Sequence, residues 1–401
     1  MTTTNATLTC DLCGHRAHNL VGHLMEAHGV SESDYEGETV SPALDAAFAA
    51  HAKGKKREPV TAGHRLTTRF AGVELPVNTD VPVEACLSLP EGYSVPKYGK
   101  LAASVETVTK RVMGGKVRPV WVWGPPGTGK DAVIWAISAK TRTPAVTFNI
   151  SPSADVEGWI AVRALSDKGT HWEEGALLKA LRDGYVTPSG RRVAMIIILS
   201  DLDRATRAQM EPLRAILDSL GGRIQGPDGR VHKVLEGTRI VATANTSGGG
   251  DTTGRYTSTP VDTSLMDRVT FKVAFANMDS RDEEPIIRAK YSALCARFTE
   301  VAPTVMRATT AIRDAITKGD LYMDFGHRTV CSWLDAIENE ASFYGGKDAS
   351  KVIRAGLQDV LAGCPNDDTR EQLKLLVDPH LRGGAVEEGD TSHISRDPLG
   401  V

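Results

Sequence analysis

Two stretches of the chain combine residue types and spacing that do chemistry. The first is Gly124-Pro125-Pro126-Gly127-Thr128-Gly129-Lys130, which follows the apolar run Val120-Trp121-Val122-Trp123 and precedes Val133, Ile134 and Ile137 at helical spacing. A glycine-rich loop between a strand and a helix turns backbone N–H groups toward phosphate. The helix N-terminus adds partial positive charge, and the terminal lysine reaches the β- and γ-phosphates. Gly124 to Lys130, with Asp131 next, are thus the candidate nucleotide-binding residues. The second stretch is Cys10-x2-Cys13-x9-His23-x4-His28. Two thiolates two residues apart share one ion across a tight knuckle, and two histidines on one helix converge on it. Zinc suits this mixed sulfur and nitrogen set. His15 and His18 are rival ligands.

The nucleotide stretch departs from the usual pattern at one position. The residue after the loop lysine is normally Ser or Thr, whose hydroxyl binds Mg²⁺; here it is Asp131. The complementary acidic motif, normally Asp-Glu, belongs at the end of an apolar strand. Here Val193 to Leu199 is followed by Ser200-Asp201-Leu202-Asp203-Arg204. Hydroxyl and carboxylate have traded places, so Asp131 and Ser200 are the candidate Mg²⁺ ligands. Asp201, standing for the glutamate, is the candidate water-orienting base. The alternative is decay at both positions, leaving a chain that holds nucleotide without turning it over.

These residues need a scaffold, and the composition supplies one. The chain has 401 residues, 41% hydrophobic and 24% charged, in the range of folded globular chains. Lys and Arg number 47 against 50 Asp and Glu, a net charge of −3, which excludes a wholly basic nucleic-acid coat. Six scattered cysteines do not make a disulfide framework, no apolar run is long enough to span a bilayer, and the N-terminus lacks a signal-peptide pattern. A cytoplasmic setting without membrane contact is expected. Residues 1–37 are expected to form the zinc unit, 38–63 a flexible linker containing Lys53 to Arg57, and 64–100 an extended arm packing on a larger domain. From 101 to 275, apolar runs at Val120–Trp123, Ala145–Ile150, Val193–Leu199 and Ile240–Ala244 alternate with helical patterns, which predicts an α/β parallel sheet. Residues 276–382 read as helical, with Val330, Trp333, Leu334, Ile337 and Ala341 on one apolar face, and 383–401 as a mobile tail.

On the loop, the strand-end motif and the stretch Ala242-Thr243-Ala244-Asn245-Thr246 through Met266-Asp267-Arg268, the chain resembles AAA+ ATPases of the MoxR group, and among them the CobS-like members. The resemblance runs from about residue 75 to 344. It implies a P-loop αβα core with a helical lid. It also implies that Asn245 is the polar residue orienting the attacking water, and that Arg268 is an arginine finger reaching a neighbour's γ-phosphate. Arg328, before Val330 and Trp333, would be a second sensor arginine. Residues 221–234 resemble the hairpin preceding the sensor strand, and Asp155 to about Gly175 resemble the family's helix-2 insert. A homo-oligomer, a hexamer, is implied, as is a von Willebrand factor A-domain partner of the CobT-like kind.

The first 37 residues resemble zinc fingers of the bacterial Ros/MucR type, which bind DNA. Here the ligand-bearing helix, Leu20 to Ala27, has no Arg or Lys to reach bases or phosphates, so protein contact is the first reading and nucleic acid the second. The sequence as a whole points to an ATPase using ATP, Mg²⁺ and Zn²⁺ to remodel a partner protein. A non-hydrolysing nucleotide-gated scaffold and a DNA-associated motor are the alternatives.

Overall fold

The computed structural model describes residues 8–9, 16–17, 66–89, 92–167, 169–251 and 258–381. The chain divides into two compact units, the first ending at Phe275 and the second running from Ala276 and including Pro125–Thr128 of the loop.

The first unit is built on five parallel strands: β1 (Val120–Trp123), β2 (Ala145–Asn149), β3 (Ile196–Ser200), β4 (Arg239–Ala244) and β5 (Phe271–Ala274), in the order β5-β1-β4-β3-β2. All five residues of β3 are buried. That explains its unbroken apolar sequence, since a parallel strand covered on both faces has no polar side to alternate with. In register, Leu199 pairs with Ala242 and Ala244 with Trp123. The carboxyl ends of β1, β3 and β4 therefore finish at one edge of the sheet, the edge where open α/β sheets bind ligands.

The helices of this unit are α1 (Gly99–Met113), α2 (Lys130–Thr141), α3 (Ala176–Asp183), α4 (Arg207–Asp218) and α5 (Thr263–Arg268). Val133, Ile134 and Ile137 of α2 are buried, as their spacing predicts. A capping box starts α4: the Gln209 side chain accepts from the Thr206 N–H, and the Thr206 side chain accepts from the Gln209 N–H. Residues 66–89 contain a hairpin, Thr67–Phe70 with Val73–Pro76. This segment buries Phe70, Leu75 and Val81, and the Asn78 N–H donates to Thr141 O at 2.9 Å. Two further hairpins, Ala161–Ser166 with Gly169–Glu174 and Arg223–Gln225 with Val231–Lys233, stand outside the main sheet.

Two strand expectations are corrected. The run Val193–Leu199 is not one strand: Arg192–Val193 pairs with Tyr185–Val186, and β3 begins only at Ile196. Apolarity alone cannot locate that break, because both pieces bury their side chains. β5 was not among the expected strands; its mixed Phe-Lys-Val-Ala pattern suits a strand at the sheet edge.

The second unit is helical: α6 (Ser280–Lys290), α7 (Ser292–Arg297), α8 (Val301–Lys318), α9 (His327–Phe343), α10 (Ala349–Ala362) and α11 (Asp367–Leu381). Its core gathers Phe298, Phe325, Trp333 and Leu334. The Phe325 and Trp333 rings meet edge to face with centroids 6.3 Å apart. Among the described residues, no helix is long and apolar enough to cross a membrane.

Candidate nucleotide site

The loop after β1 is shaped by close backbone approach. At Gly124 the chain lies so near the next segment that a Cβ would sit 2.3 Å from Phe275 O, so only glycine fits. Gly129, at φ +81°, is the N-cap of α2 and sits in the left-handed region. It carries no side chain that could cap α2 in place of an anion.

Lys130, the first residue of α2, is 9% exposed. Its Nζ donates to Gly124 O at 2.9 Å and to Asn245 Oδ1 at 3.1 Å. The loop lysine and the polar residue just past β4, far apart in sequence, are thus in direct contact.

Asp131 and Ser200 meet. The Ser200 hydroxyl donates to Asp131 Oδ2 at 3.1 Å. A third residue joins them: Thr243 Oγ1 donates to Asp131 Oδ1 at 2.8 Å and lies 3.4 Å from Ser200 Oγ. Both carboxylate oxygens of Asp131 therefore accept from hydroxyls delivered by two neighbouring strands. Sequence reasoning missed Thr243. The available signal was a lone hydroxyl in the apolar strand Ile240-Val241-Ala242-Thr243-Ala244, on the same face as Asn245 by the two-residue period. Three oxygen-bearing side chains with one carboxylate among them fit Mg²⁺, which takes few protein ligands and completes its shell with water and phosphate oxygens.

Asp201 follows β3 in a left-handed conformation at φ +57°, which turns the chain sharply out of the sheet. Its carboxylate lies 3.8 Å from Arg204. Burial, then the nearby charges of Asp131 and Asp203, push its carboxyl pKa up from the ordinary value, making the carboxylate a better proton acceptor.

Asp203 is the second residue missed from sequence. It is fully buried, and its Oδ2 accepts from the Asn245 N–H (3.1 Å), the Thr246 N–H (2.9 Å) and the Thr246 hydroxyl (2.9 Å). It clamps the turn that carries Asn245. Nothing local distinguishes it from the neighbouring Asp201, because the clamp closes across 42 residues.

Arg268 ends α5. Its Nε donates to Asp218 Oδ2 at 2.7 Å and its Nη1 to Ser264 O at 2.6 Å. The Asp218 hydrogen bond holds the guanidinium even more firmly protonated than usual. Arg328 is the second residue of α9 in the helical unit.

Cys10, Cys13, His23 and His28 lie outside the described residues, as do the linker residues Lys53 to Arg57. Short strands at Leu8–Thr9 and Arg16–Ala17 pair antiparallel, Leu8 opposite Ala17. Among the described residues, no three His, Cys, Asp or Glu side chains gather as a metal cluster.

Residues 119–268 match the AAA domain family, dynein-related subfamily. Together with the parallel sheet and the phosphate loop, the match gives this segment the α/β P-loop fold of an AAA+ domain. More specifically, the chain is similar to the aerobic cobaltochelatase subunit CobS of Sinorhizobium sp, 25% identical over 272 residues that cover 64% of this chain and 80% of CobS. Midasin of Giardia intestinalis is 30% identical over 101 residues, covering 25% of this chain and 2% of that very long protein. Among solved structures, NtrX of Brucella abortus in complex with ATP superposes with a TM-score of 0.45 at 16% identity, over 72% of this chain and 64% of NtrX. The RuvB Holliday junction branch migration motor of Thermotoga maritima superposes with a TM-score of 0.41 at 14% identity, over 71% and 76%.

Proposed function

We propose that this chain binds ATP with Mg²⁺ in an oligomeric ring, hydrolyses it, and uses the cycle to remodel a partner protein. The observation that carries the reading is the Ser200–Asp131 hydrogen bond beside Lys130. The hydroxyl and carboxylate that normally face each other across such a site are both present, with the loop and strand ends exchanged. The fold brings these two positions together whatever occupies them; what speaks for function is that the pair is still one hydroxyl and one carboxylate, which unrelated losses would rarely leave.

In this reading Gly124 to Lys130 hold the phosphates, through backbone N–H groups and the lysine ammonium. Asp131 and Ser200 hold Mg²⁺, with Thr243 orienting the Asp131 carboxylate. Bound there, Mg²⁺ would neutralise charge on the phosphate oxygens. Asn245, fixed by Asp203 from behind, positions the attacking water, and Asp201 takes its proton. Arg268 acts on the γ-phosphate of a neighbouring subunit, leaving its Asp218 partner to do so, and Arg328 is the second sensor. Cys10, Cys13, His23 and His28 hold one zinc ion, and the resulting finger contacts protein. CobS is named as a subunit of a larger enzyme, which supports assembly with other chains; a hexameric ring, a von Willebrand factor A-domain partner and a cytoplasmic setting belong to the same reading.

The test is phosphate release by the full chain, with Mg²⁺ and with a chelator. Release with Mg²⁺ alone is the expected result. ATP binding without release in either condition overturns hydrolysis and leaves a nucleotide-gated scaffold.

A further inference from the structure

The helical unit contains a second constellation unrelated to nucleotide. Glu283 of α6 is fully buried and receives two hydrogen bonds from Arg313 of α8, at 2.6 and 3.1 Å. Glu283 Oε1 also lies 2.8 Å from His327 Nδ1, at the start of α9. The opposite ring nitrogen, Nε2, lies 3.5 Å from Cys331 Sγ, one helical turn further along α9. A carboxylate held ionised by an arginine only accepts, so the ring must donate from Nδ1. One further proton is then shared between Nε2 and the sulfur. This is the arrangement of an orienting acid, a base and a nucleophile in line.

We infer that Cys331 is a reactive thiolate, held as an ion pair with the His327 imidazolium and open to modification by small electrophiles, hydroperoxides in particular. Cys331 is partly exposed, whereas Cys295 and Cys364 are buried. In the reaction with hydrogen peroxide, the sulfur attacks one peroxide oxygen, an S–O bond forms and the O–O bond breaks. Sulfur is oxidised to a sulfenic acid. The departing hydroxide takes the proton from His327, giving water and a neutral imidazole.

The surroundings agree. Burial alone would raise the thiol, but the His327 hydrogen bond and charge, with the more distant Lys290 ammonium, bring it below its ordinary value. The imidazole is pushed up to about 9, first by Cys331 and then by Glu283. Tyr291 and Asp335 complete the charged and titratable groups around the pair. The Tyr291 hydroxyl lies 3.0 Å from Cys331 O and 2.6 Å from Asp335 Oδ1, and its hydrogen bond to Cys331 adds to the lowering of the thiol. The other thiols in the described residues behave oppositely: burial raises Cys86, Cys295 and Cys364.

The experiment is alkylation of the full chain by iodoacetamide across pH, with each cysteine followed by peptide mass mapping. Cys331 is expected to alkylate with an apparent midpoint at least about one pH unit below that of the same thiol in the unfolded chain, and at pH 7 at least tenfold faster than Cys86. His327→Gln is expected to move the midpoint upward, to or above that of the unfolded chain. Treatment with hydrogen peroxide should place the first added oxygen on Cys331 in preference to Cys86, Cys295 and Cys364. A parent midpoint equal to or above that of the unfolded chain overturns the proposal, as does an unchanged profile in His327→Gln. The comparison of Cys331 with Cys86 in one digest decides the matter even if the variant fails to fold.

Discussion

Ser200 donates its hydroxyl proton to Asp131 across 69 residues of sequence, at 3.1 Å. The bond links the last residue of β3 to the second residue of α2. It exists because β3 and β4 run parallel in a register that brings Ser200 and Thr243 level at the sheet edge. A carboxylate on the loop side, answered by a hydroxyl on the strand side, preserves one formal negative charge at the site.

That relationship is testable as a double-mutant cycle. Asp131→Ser leaves two hydroxyls and Ser200→Asp crowds two carboxylates, so each should lower Mg²⁺-dependent phosphate release. The double variant should recover it, with a coupling energy of about 0.5–3 kcal/mol, the range for residues in direct contact. Losses that simply add, or a double variant active where the parent is not, would mean that the exchanged positions are decayed.

Thr243→Val keeps the shape of the side chain and removes the hydroxyl that donates to Asp131 Oδ1. A hydrogen bond to a charged group contributes about 1.5–3 kcal/mol. Turnover should therefore need a distinctly higher Mg²⁺ concentration, while ATP binding without metal changes little. A Mg²⁺ titration of both proteins gives the comparison.

Arg268→Ala should abolish turnover and spare nucleotide binding, because an arginine supplied to a neighbour acts on the transition state. Such fingers are worth roughly 10³–10⁵ in rate, so a tenfold loss would be too small. Since Arg268 bonds Asp218 of its own chain, the variant also breaks a surface ion pair, worth little to stability. Phosphate release measured with sedimentation across protein concentration separates catalysis from assembly. An active monomer would refute the assignment.

Glu283→Gln should destabilise the helical unit by about 3–5 kcal/mol near neutral pH, because it leaves the nearly buried Arg313 guanidinium without its counter-charge. Burial raises the Glu283 carboxyl, but the His327 and Arg313 hydrogen bonds and the Arg313 charge outweigh it and hold the group below its ordinary value of 4.5. A depressed carboxyl contributes stability that is fully present above about 4.5 and lost as pH falls through the folded-state value. The gap between parent and variant should thus shrink in acid, as read by chemical denaturation at pH 7 and pH 3.5.

Elemental analysis of the purified chain should find about one zinc per molecule, and Cys10→Ser or His28→Ala should remove it. Zinc content that survives these changes would assign the metal to other ligands.

Sequence by itself determined what is contiguous. The phosphate loop is legible from Gly124 to Lys130 because its demands are local: glycines where the backbone must turn or approach closely, an apolar strand before and a periodic helix after. The Cys10, Cys13, His23 and His28 spacing is readable for the same reason, as is the one-turn separation of His327 and Cys331. Tertiary structure alone decided which distant groups share an electrostatic environment. The parallel register of β1, β4 and β3 set Asn245 on Lys130 and both Ser200 and Thr243 on Asp131. Burial turned Asp203 into a clamp, where the sequence shows one acid among several. Helix packing brought Glu283 to His327, and only that contact gives the Cys331 pair its orienting carboxylate. Such meetings depend on how apolar faces bury against one another over tens of residues, and no short stretch of sequence specifies that outcome.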